Sequence, residues 1–99
     1  MMPQEHRAAA AERHEAERVL EAQGWTVISV PKNFIVHANI PPLTQMMKWC
    51  EDTLGTGRIE PGANWLDEHD VWYSFSWYGY WTFHFKHEKD AMAFTLRWI

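Results

Sequence analysis

The sequence predicts one α+β domain, in which helices cover one face of an antiparallel β-sheet. Two alternating segments, residues 71–77 and 80–86, are typical of neighbouring strands. An apolar stripe with helical spacing precedes them in residues 43–54. The 99 residues suffice for one hydrophobic core and leave no room for a second. From residue 34 onwards the predicted order is β-α-β-β-α-β, the ferredoxin-like arrangement, preceded by an N-terminal helix and an extra strand.

The N-terminal helix is predicted to be polar. Residues 3–23 are strong helix formers, and Gly24 follows them as a terminator. Their apolar positions are alanines at first, with Val19 and Leu20 only near the end. We therefore divide the chain into this helix, 1–24, and the domain, 25–99. The helix is expected to project, to fray or to pack against another subunit in a homodimer. Residues 3–16 are expected to add little to the stability of a monomer.

The next elements are two strands and a helix. Residues 25–30 and 34–39 are rich in β-formers and are separated by Pro31, Lys32 and Asn33. The Pro41-Pro42 pair suits the first turn of a helix that Gly55 ends. Five residues form the apolar stripe of this helix: Leu43, Met46, Met47, Cys50 and Leu54. A cysteine in such a stripe is predicted to be a core residue rather than a nucleophile.

The remaining segments are a loop, a helix and a closing strand. Residues 55–70 are predicted to be a loop anchored by three apolar residues, Ile59, Trp65 and Leu66. Acidic residues around His69 are expected to be solvated in that loop, namely Asp67, Glu68 and Asp70. Residues 88–94 have helical character, and residues 95–99 are predicted to close the sheet as a strand.

The register of the hairpin around Gly79 decides which residues face outwards. With a two-residue loop, Tyr78-Gly79, Trp77 pairs with Tyr80, and aromatic residues occupy both faces. With a three-residue loop, 78–80, nearly all the aromatic residues point towards the helices. We predict the three-residue loop, because Tyr-Gly is a weak two-residue turn and because burial favours the richer aromatic face. The expected outer face is then polar: Ser74, Ser76, Thr82 and His84.

No motif predicts catalysis, a metal site or a cofactor. The six histidines are scattered, and the chain contains no HExxH, CxxC or glycine-rich phosphate loop. A formal net charge of −4 disfavours non-specific binding to nucleic acid. The single cysteine suits a reducing compartment, and no apolar run reaches the length of a membrane span. We therefore expect a cytoplasmic protein without membrane contact.

Two segments resemble the RNA-recognition motif family. Residues 35–42 are similar to its first-strand motif, and residues 79–85, with the helix after them, are similar to its third strand. In that family three aromatic residues of these strands stack on bases. Tyr80 occupies one of those positions here, whereas Val36 and Thr82 occupy the other two. The resemblance implies a sheet with nucleic-acid binding on its outer face.

A second resemblance, over about residues 43–98, is to short uncharacterised proteins of tailed bacteriophages. Those proteins combine a WCE-type helix with a closing segment of the form FxF…ExxAxxFxLxW. The matching residues here are Trp49-Cys50-Glu51, Phe83-His84-Phe85, Glu88, Ala91, Phe94, Leu96 and Trp98. The resemblance implies a virus-encoded accessory protein in a bacterial cytoplasm.

The function predicted from the sequence is a non-catalytic interaction with a host or viral protein. The alternative is a nucleic-acid-binding module on the outer face of the sheet, and a small enzyme is the third reading. The fold does not choose among them, because one topology supports many functions. The candidate binding residues are Tyr80, Trp72, Thr82 and His84.

Overall fold

The computed structural model describes residues 15–31 and 43–99. The described part of the N-terminal helix, α1, covers residues 15–22. After it come the strand β1 (Thr26–Pro31), the helix α2 (Leu43–Thr53) and the strand β2 (Gly57–Ile59). A short 3₁₀ helix (Ala63–Trp65) leads to the strands β3 (Trp72–Trp77) and β4 (Tyr80–Phe85), and the helix α3 (Glu88–Trp98) follows. None of the described helices has the length and apolar character needed to cross a membrane.

Within the described residues the sheet has four strands in the order β1-β4-β3-β2. β4 is antiparallel to both β1 and β3, whereas β2 is parallel to β3. The α+β class is therefore confirmed, but the sheet is mixed and not purely antiparallel. The difference arises in the segment predicted to be a loop, because residues 57–59 pair with β3 and residues 60–71 carry the chain back to the same end of the sheet.

The hairpin has the two-residue loop, so our prediction of a three-residue loop is wrong. Trp77 pairs with Tyr80, which leaves Tyr78 and Gly79 as the turn. Positive φ occurs in this turn only at Gly79, with a value of 95°. A turn of this kind demands a glycine at its second position alone, as in type II turns. Our argument against a Tyr-Gly turn assumed that both residues need positive φ. It does not apply, because Tyr78 has no positive φ.

One face of the sheet packs against α2 and α3. Phe83 lies at its centre, with its ring centroid 4.6 Å from that of Phe94 and 6.3 Å from that of Phe85. The predicted stripe of α2 packs here, which confirms that Trp81, Phe83 and Phe85 face the helices. The buried residues of this core are Val30, Met46, Met47, Cys50, Trp72, Phe83, Phe85, Ala91, Phe94 and Trp98.

The C-terminal segment is helical throughout α3, so the predicted closing strand at residues 95–99 is wrong. Ala91, Phe94 and Trp98 are spaced as one helical face and are all buried, whereas Leu96 is 86% exposed. The alternation of Phe94, Leu96 and Trp98 imitated a strand. Without a final strand, and with residues 34–39 outside the described ranges, a ferredoxin-like arrangement is not established.

The second face of the sheet is covered by α1. Ala16 and Leu20 are buried against Tyr73 and Phe75, and Trp25 stacks on Tyr73 with ring centroids 5.2 Å apart. Helices therefore lie on both faces and not on one, and the described part of the N-terminal helix packs on the domain. Two small or aliphatic residues one turn apart, Ala16 and Leu20, are sufficient to pack α1 on the sheet, because the sheet supplies the large apolar surface.

The loop between β2 and β3 contains a buried carboxylate. Asp70 is 5% exposed and accepts hydrogen bonds from the Tyr73 hydroxyl at 2.9 Å and from Arg58 Nε at 3.1 Å. The expectation of a solvated acidic cluster is therefore wrong for Asp70. Of the predicted anchors, Ile59 and Trp65 are exposed. Leu66 alone packs against the second core, which is the cluster of buried residues under α1: Ala16, Leu20, Tyr73 and Phe75.

Cys50 provides a direct test of the first core. The residue is fully buried, as predicted, and burial, with a smaller contribution from Asp90, raises the pKa of its thiol to about 12. Since the thiolate is the reactive form, we expect the native protein to resist alkylation by iodoacetamide at mildly alkaline pH. Mass spectrometry of the same protein in denaturant, where Cys50 must label, is the control. Rapid labelling of the native protein would place Cys50 outside the core.

Candidate functional site

The four predicted binding residues do not share an exposed surface. Tyr80, Thr82 and His84 lie on one face of β4, and Tyr80 at the hairpin is 41% exposed. Thr82 and His84 are buried on the face that α1 covers. Trp72 lies on the opposite face, in the core formed with α2 and α3. Only Tyr80 is therefore accessible to a partner.

Trp72 has a structural role in joining β3 to the end of α2. Its indole N–H donates a hydrogen bond to the carbonyl oxygen of Gly55 at 2.9 Å. A Cβ atom on Gly57 would collide with the Trp72 ring and with its backbone carbonyl. Trp72 thus requires glycine at position 57. Its side chain is packed in the core and is not accessible to a ligand.

A cluster of polar side chains lies between α1 and the sheet. The carboxylate of Glu17 accepts hydrogen bonds from the indole N–H of Trp77 and from the Thr82 hydroxyl, the latter at 3.2 Å. Trp77 lies on β3 and Thr82 on β4, so the carboxylate connects α1 to both strands. Hydrogen bonds to a carboxylate are stronger than those between neutral groups, and these two hold Glu17 in one orientation.

His84 is the unusual member of this cluster. The residue is fully buried, and neither ring nitrogen has a hydrogen-bond partner in the part of the chain that the structure describes. Its ring packs edge-on against Phe75, with centroids 5.3 Å apart. Burial lowers the pKa of His84 to about 4, so that the ring is neutral at pH 7. Buried polar atoms are nearly always hydrogen-bonded, and an imidazole with two unpaired nitrogens therefore calls for an explanation.

Two glutamates of α1 approach His84. Glu17 and Glu21 are one helical turn apart and lie on the same face of the helix. One ligand atom from each of Glu17, Glu21 and His84 lies within 4.8 Å of the other two. The sequence shows the i, i+4 spacing of the glutamates, but it gives no sign that α1 packs over His84, and for this reason the group was not predicted.

A second feature is an apolar groove between β1 and α3. Its volume is about 290 Å³, and one wall is β1, which is the edge strand among the strands that the structure describes. Met92 and Leu96 on the other wall are 61% and 86% exposed. The groove could not be predicted while residues 95–99 were expected to form a strand, because its second wall is the helix that residues 95–98 continue. Its lining residues are Thr26, Ile28, Glu88, Ala91, Met92, Thr95 and Leu96.

Comparisons with known proteins found no matching family model, no matching curated protein and no matching solved structure. Two places in the described chain have a geometry that suits binding. One is the groove beside the edge strand, and the other is the buried group of Glu17, Glu21 and His84. They lie on opposite faces of the sheet and are independent of each other.

Proposed function

We propose that this protein is a small non-catalytic interaction protein that binds an extended segment of a partner protein. The segment lies along the outer side of β1, and its side chains enter the groove beside α3. The observation that supports this proposal best is the position of an apolar groove directly beside an edge strand. Strand addition to an exposed sheet edge is a common mode of peptide recognition.

The edge strand supplies backbone hydrogen bonds. β1 pairs with β4 along one side, and within residues 15–31 and 43–99 no strand pairs with its other side. In an antiparallel pair, alternate residues direct their N–H and C=O groups away from the neighbouring strand. Unsatisfied groups of this kind form a template for another strand. An extended segment therefore gains main-chain hydrogen bonds along β1.

The groove supplies specificity for apolar side chains. Thr26 and Ile28 are on the face of β1 that points to α3, where Met92 and Leu96 are exposed. A strand beside β1 would direct every second side chain to the same face. The volume of about 290 Å³ has room for one or two such side chains. We therefore expect alternating apolar residues in the bound segment.

The negative charge at one end of the groove indicates which charge the bound segment carries there. Glu88 is the single charged residue in the lining, and it takes part in no ion pair with another described residue. It lies at the end of the groove near Thr26, since α3 begins directly after β4. A lysine or arginine at the corresponding end of the segment would complement Glu88. Such a rim contact contributes more to specificity and association rate than to affinity.

The alternative of nucleic-acid binding gains no support from the second face of the sheet. That alternative needs accessible aromatic or polar residues there, and α1 buries Tyr73, Phe75, Thr82 and His84. The formal net charge of −4 also disfavours this alternative, because contacts to phosphate groups require basic residues. The similarity to tailed-phage proteins is the basis for proposing a host or viral partner in a bacterial cytoplasm.

A panel of synthetic peptides tests the proposal. Each peptide alternates apolar and threonine residues and carries lysine or glutamate at one end, and binding is followed by fluorescence anisotropy. We expect the lysine peptides to bind and the Leu96→Lys variant to lose that binding. Because Leu96 is exposed, this substitution is expected to change stability by less than about 0.5 kcal/mol. The matched control is Ile59→Lys, an exposed residue of the opposite edge strand, which should bind as the unaltered protein does.

Backbone methylation of the peptide tests the strand geometry. N-methylation at alternate residues removes hydrogen bonds to β1 in one frame and not in the other, so we expect binding to depend on the frame. Equal binding in both frames, or equal binding by Leu96→Lys and Ile59→Lys, would contradict the proposal. A large loss of stability in Leu96→Lys without peptide would show instead that another part of the chain covers the groove.

A further inference from the structure

We propose that Glu17, Glu21 and His84 form a binding site for a divalent transition-metal ion, with Zn²⁺ as the best-matched ion. The three side chains come from α1 and β4, and their ligand atoms lie within 4.8 Å of one another. Zn²⁺ binds carboxylate oxygen and imidazole nitrogen at about 2.0–2.2 Å in a tetrahedral arrangement, so two of its ligands lie roughly 3.4 Å apart. Ion binding would draw the three ligand atoms closer together, and Glu21 is the exposed member of the group, so its side chain can move with least disturbance of the core.

His84 provides the evidence that this group is more than two neighbouring acids. It is fully buried, its nitrogens have no partner among the described residues, and one of them lies within 4.8 Å of an oxygen of each carboxylate. Leaving a buried acceptor unpaired destabilises the folded protein, and coordination of an ion removes that cost. A purely structural histidine on this apolar face would donate to a nearby carbonyl or carboxylate, and His84 does not.

The surroundings of Glu17 are those of an oriented metal ligand. Trp77 and Thr82 both donate hydrogen bonds to its carboxylate, and each belongs to a different strand. Metal-ligating carboxylates are usually held by such outer partners, which fix their direction before the ion arrives. Both of these hydrogen bonds go to Oε1 of Glu17, and they would hold the carboxylate ready for an ion.

The charges of the group match a dication. Two carboxylates one turn apart on a helix repel each other, and this repulsion is stronger beside an apolar face than in water. A dication with two glutamates and a neutral imidazole gives a site without net charge, which is the arrangement that burial favours. Without an ion the two carboxylates repel each other, and a bound dication would remove that repulsion.

The donor set selects the class of ion. Imidazole nitrogen suits Zn²⁺ and its transition-metal neighbours, whereas Mg²⁺ and Ca²⁺ prefer oxygen ligands alone. The group has no thiolate, which disfavours Cu⁺. Among common divalent ions Zn²⁺ binds more tightly than Mn²⁺ or Fe²⁺ at a given nitrogen and oxygen site. Three protein ligands leave one position for a water molecule, and the ion would join α1 to the sheet.

Titration of the metal-free full-length protein with Zn²⁺ tests this site. We expect one ion per chain by isothermal titration calorimetry and a rise in melting temperature, because the ion binds the folded state. Substitution with Co²⁺ adds a spectroscopic readout, since a site of low coordination number gives intense visible absorption bands. Glu21→Gln and His84→Phe are each expected to weaken binding by at least about 100-fold, because removal of a ligand exceeds the effect of losing an outer partner.

Two control variants separate this site from other acidic and histidine residues. Glu15→Gln makes the same change on an exposed position of α1, and His69→Gln removes an exposed histidine. Both are expected to bind Zn²⁺ as the unaltered protein does. If His84→Phe fails to fold, the exposed Glu21→Gln variant decides. No binding by the unaltered protein, or equal binding by Glu21→Gln and Glu15→Gln, would overturn the proposal.

Discussion

Replacement of Phe83 with alanine is expected to lower the free energy of unfolding by about 3–5 kcal/mol. Phe83 is fully buried, and its ring lies against Phe94 of α3 and beside Phe85 of the same strand. Truncation leaves a cavity where α3 meets the sheet, and the surrounding aromatic rings cannot all move to fill it. Urea denaturation followed by circular dichroism measures the change.

The matched control for Phe83 is an aromatic residue that packs against nothing. Tyr78, at the tip of the hairpin, is fully exposed, so Tyr78→Ala should change the free energy of unfolding by less than about 0.5 kcal/mol. Similar values for Phe83→Ala and Tyr78→Ala would mean that the face of β4 bearing Phe83 does not pack on the helices.

Replacement of Leu20 with alanine is expected to cost about 2–5 kcal/mol. Leu20 is 1% exposed and is the largest residue that the described part of α1 contributes to the second core, where it meets Tyr73 and Phe75. Truncation leaves Ala16 as the other buried residue that the described part of α1 contributes to this core. Urea denaturation again measures the effect, and a weaker affinity for Zn²⁺ should accompany it because Glu17 and Glu21 are on the same helix.

Glu15→Ala is the control for the second core. Glu15 lies on the exposed side of α1, where it forms a surface ion pair with Arg18 at 3.2 Å. Such pairs contribute about 0–1 kcal/mol, so the control should have nearly the stability of the unaltered protein. A Leu20→Ala variant as stable as Glu15→Ala would show that α1 is not packed on the sheet in solution.

The central elements could be predicted from the sequence because each has a strong period. The stripe from Leu43 to Leu54 and the alternation in β4 identified a helix, a strand and the faces that meet. Cys50 in the core followed from its place in that stripe, and its burial confirms it. Periodicity is informative here because large side chains face a single continuous core.

The second core could not be predicted, because the evidence for it is divided between distant segments. Ala16 and Leu20 form a weak apolar face by themselves, and Tyr73 and Phe75 provide the rest. The hairpin register was misjudged for the same reason. With α1 covering the second face, both registers bury aromatic residues, and burial no longer favours the longer loop.

The candidate sites depend on these tertiary relations. His84 was predicted to be a binding residue on an exposed face, but it is buried, and two glutamates of α1 lie close to it. The spacing of Glu17 and Glu21 is common on solvated helices and predicts nothing alone. The groove beside β1 exists only because residues 95–98 continue α3, which the alternation of Phe94, Leu96 and Trp98 obscured.

The position of α1 on the sheet is central to both the second core and the metal site, and nuclear Overhauser contacts test it most directly. We expect contacts between the methyl groups of Leu20 and the ring protons of Tyr73 and Phe75, all of which belong to one buried cluster. A carbon-edited spectrum of the full-length, metal-free protein is the appropriate measurement. Leu20 methyl groups with no contact to either ring would show that α1 lies elsewhere, and Glu17 and Glu21 could not then reach His84.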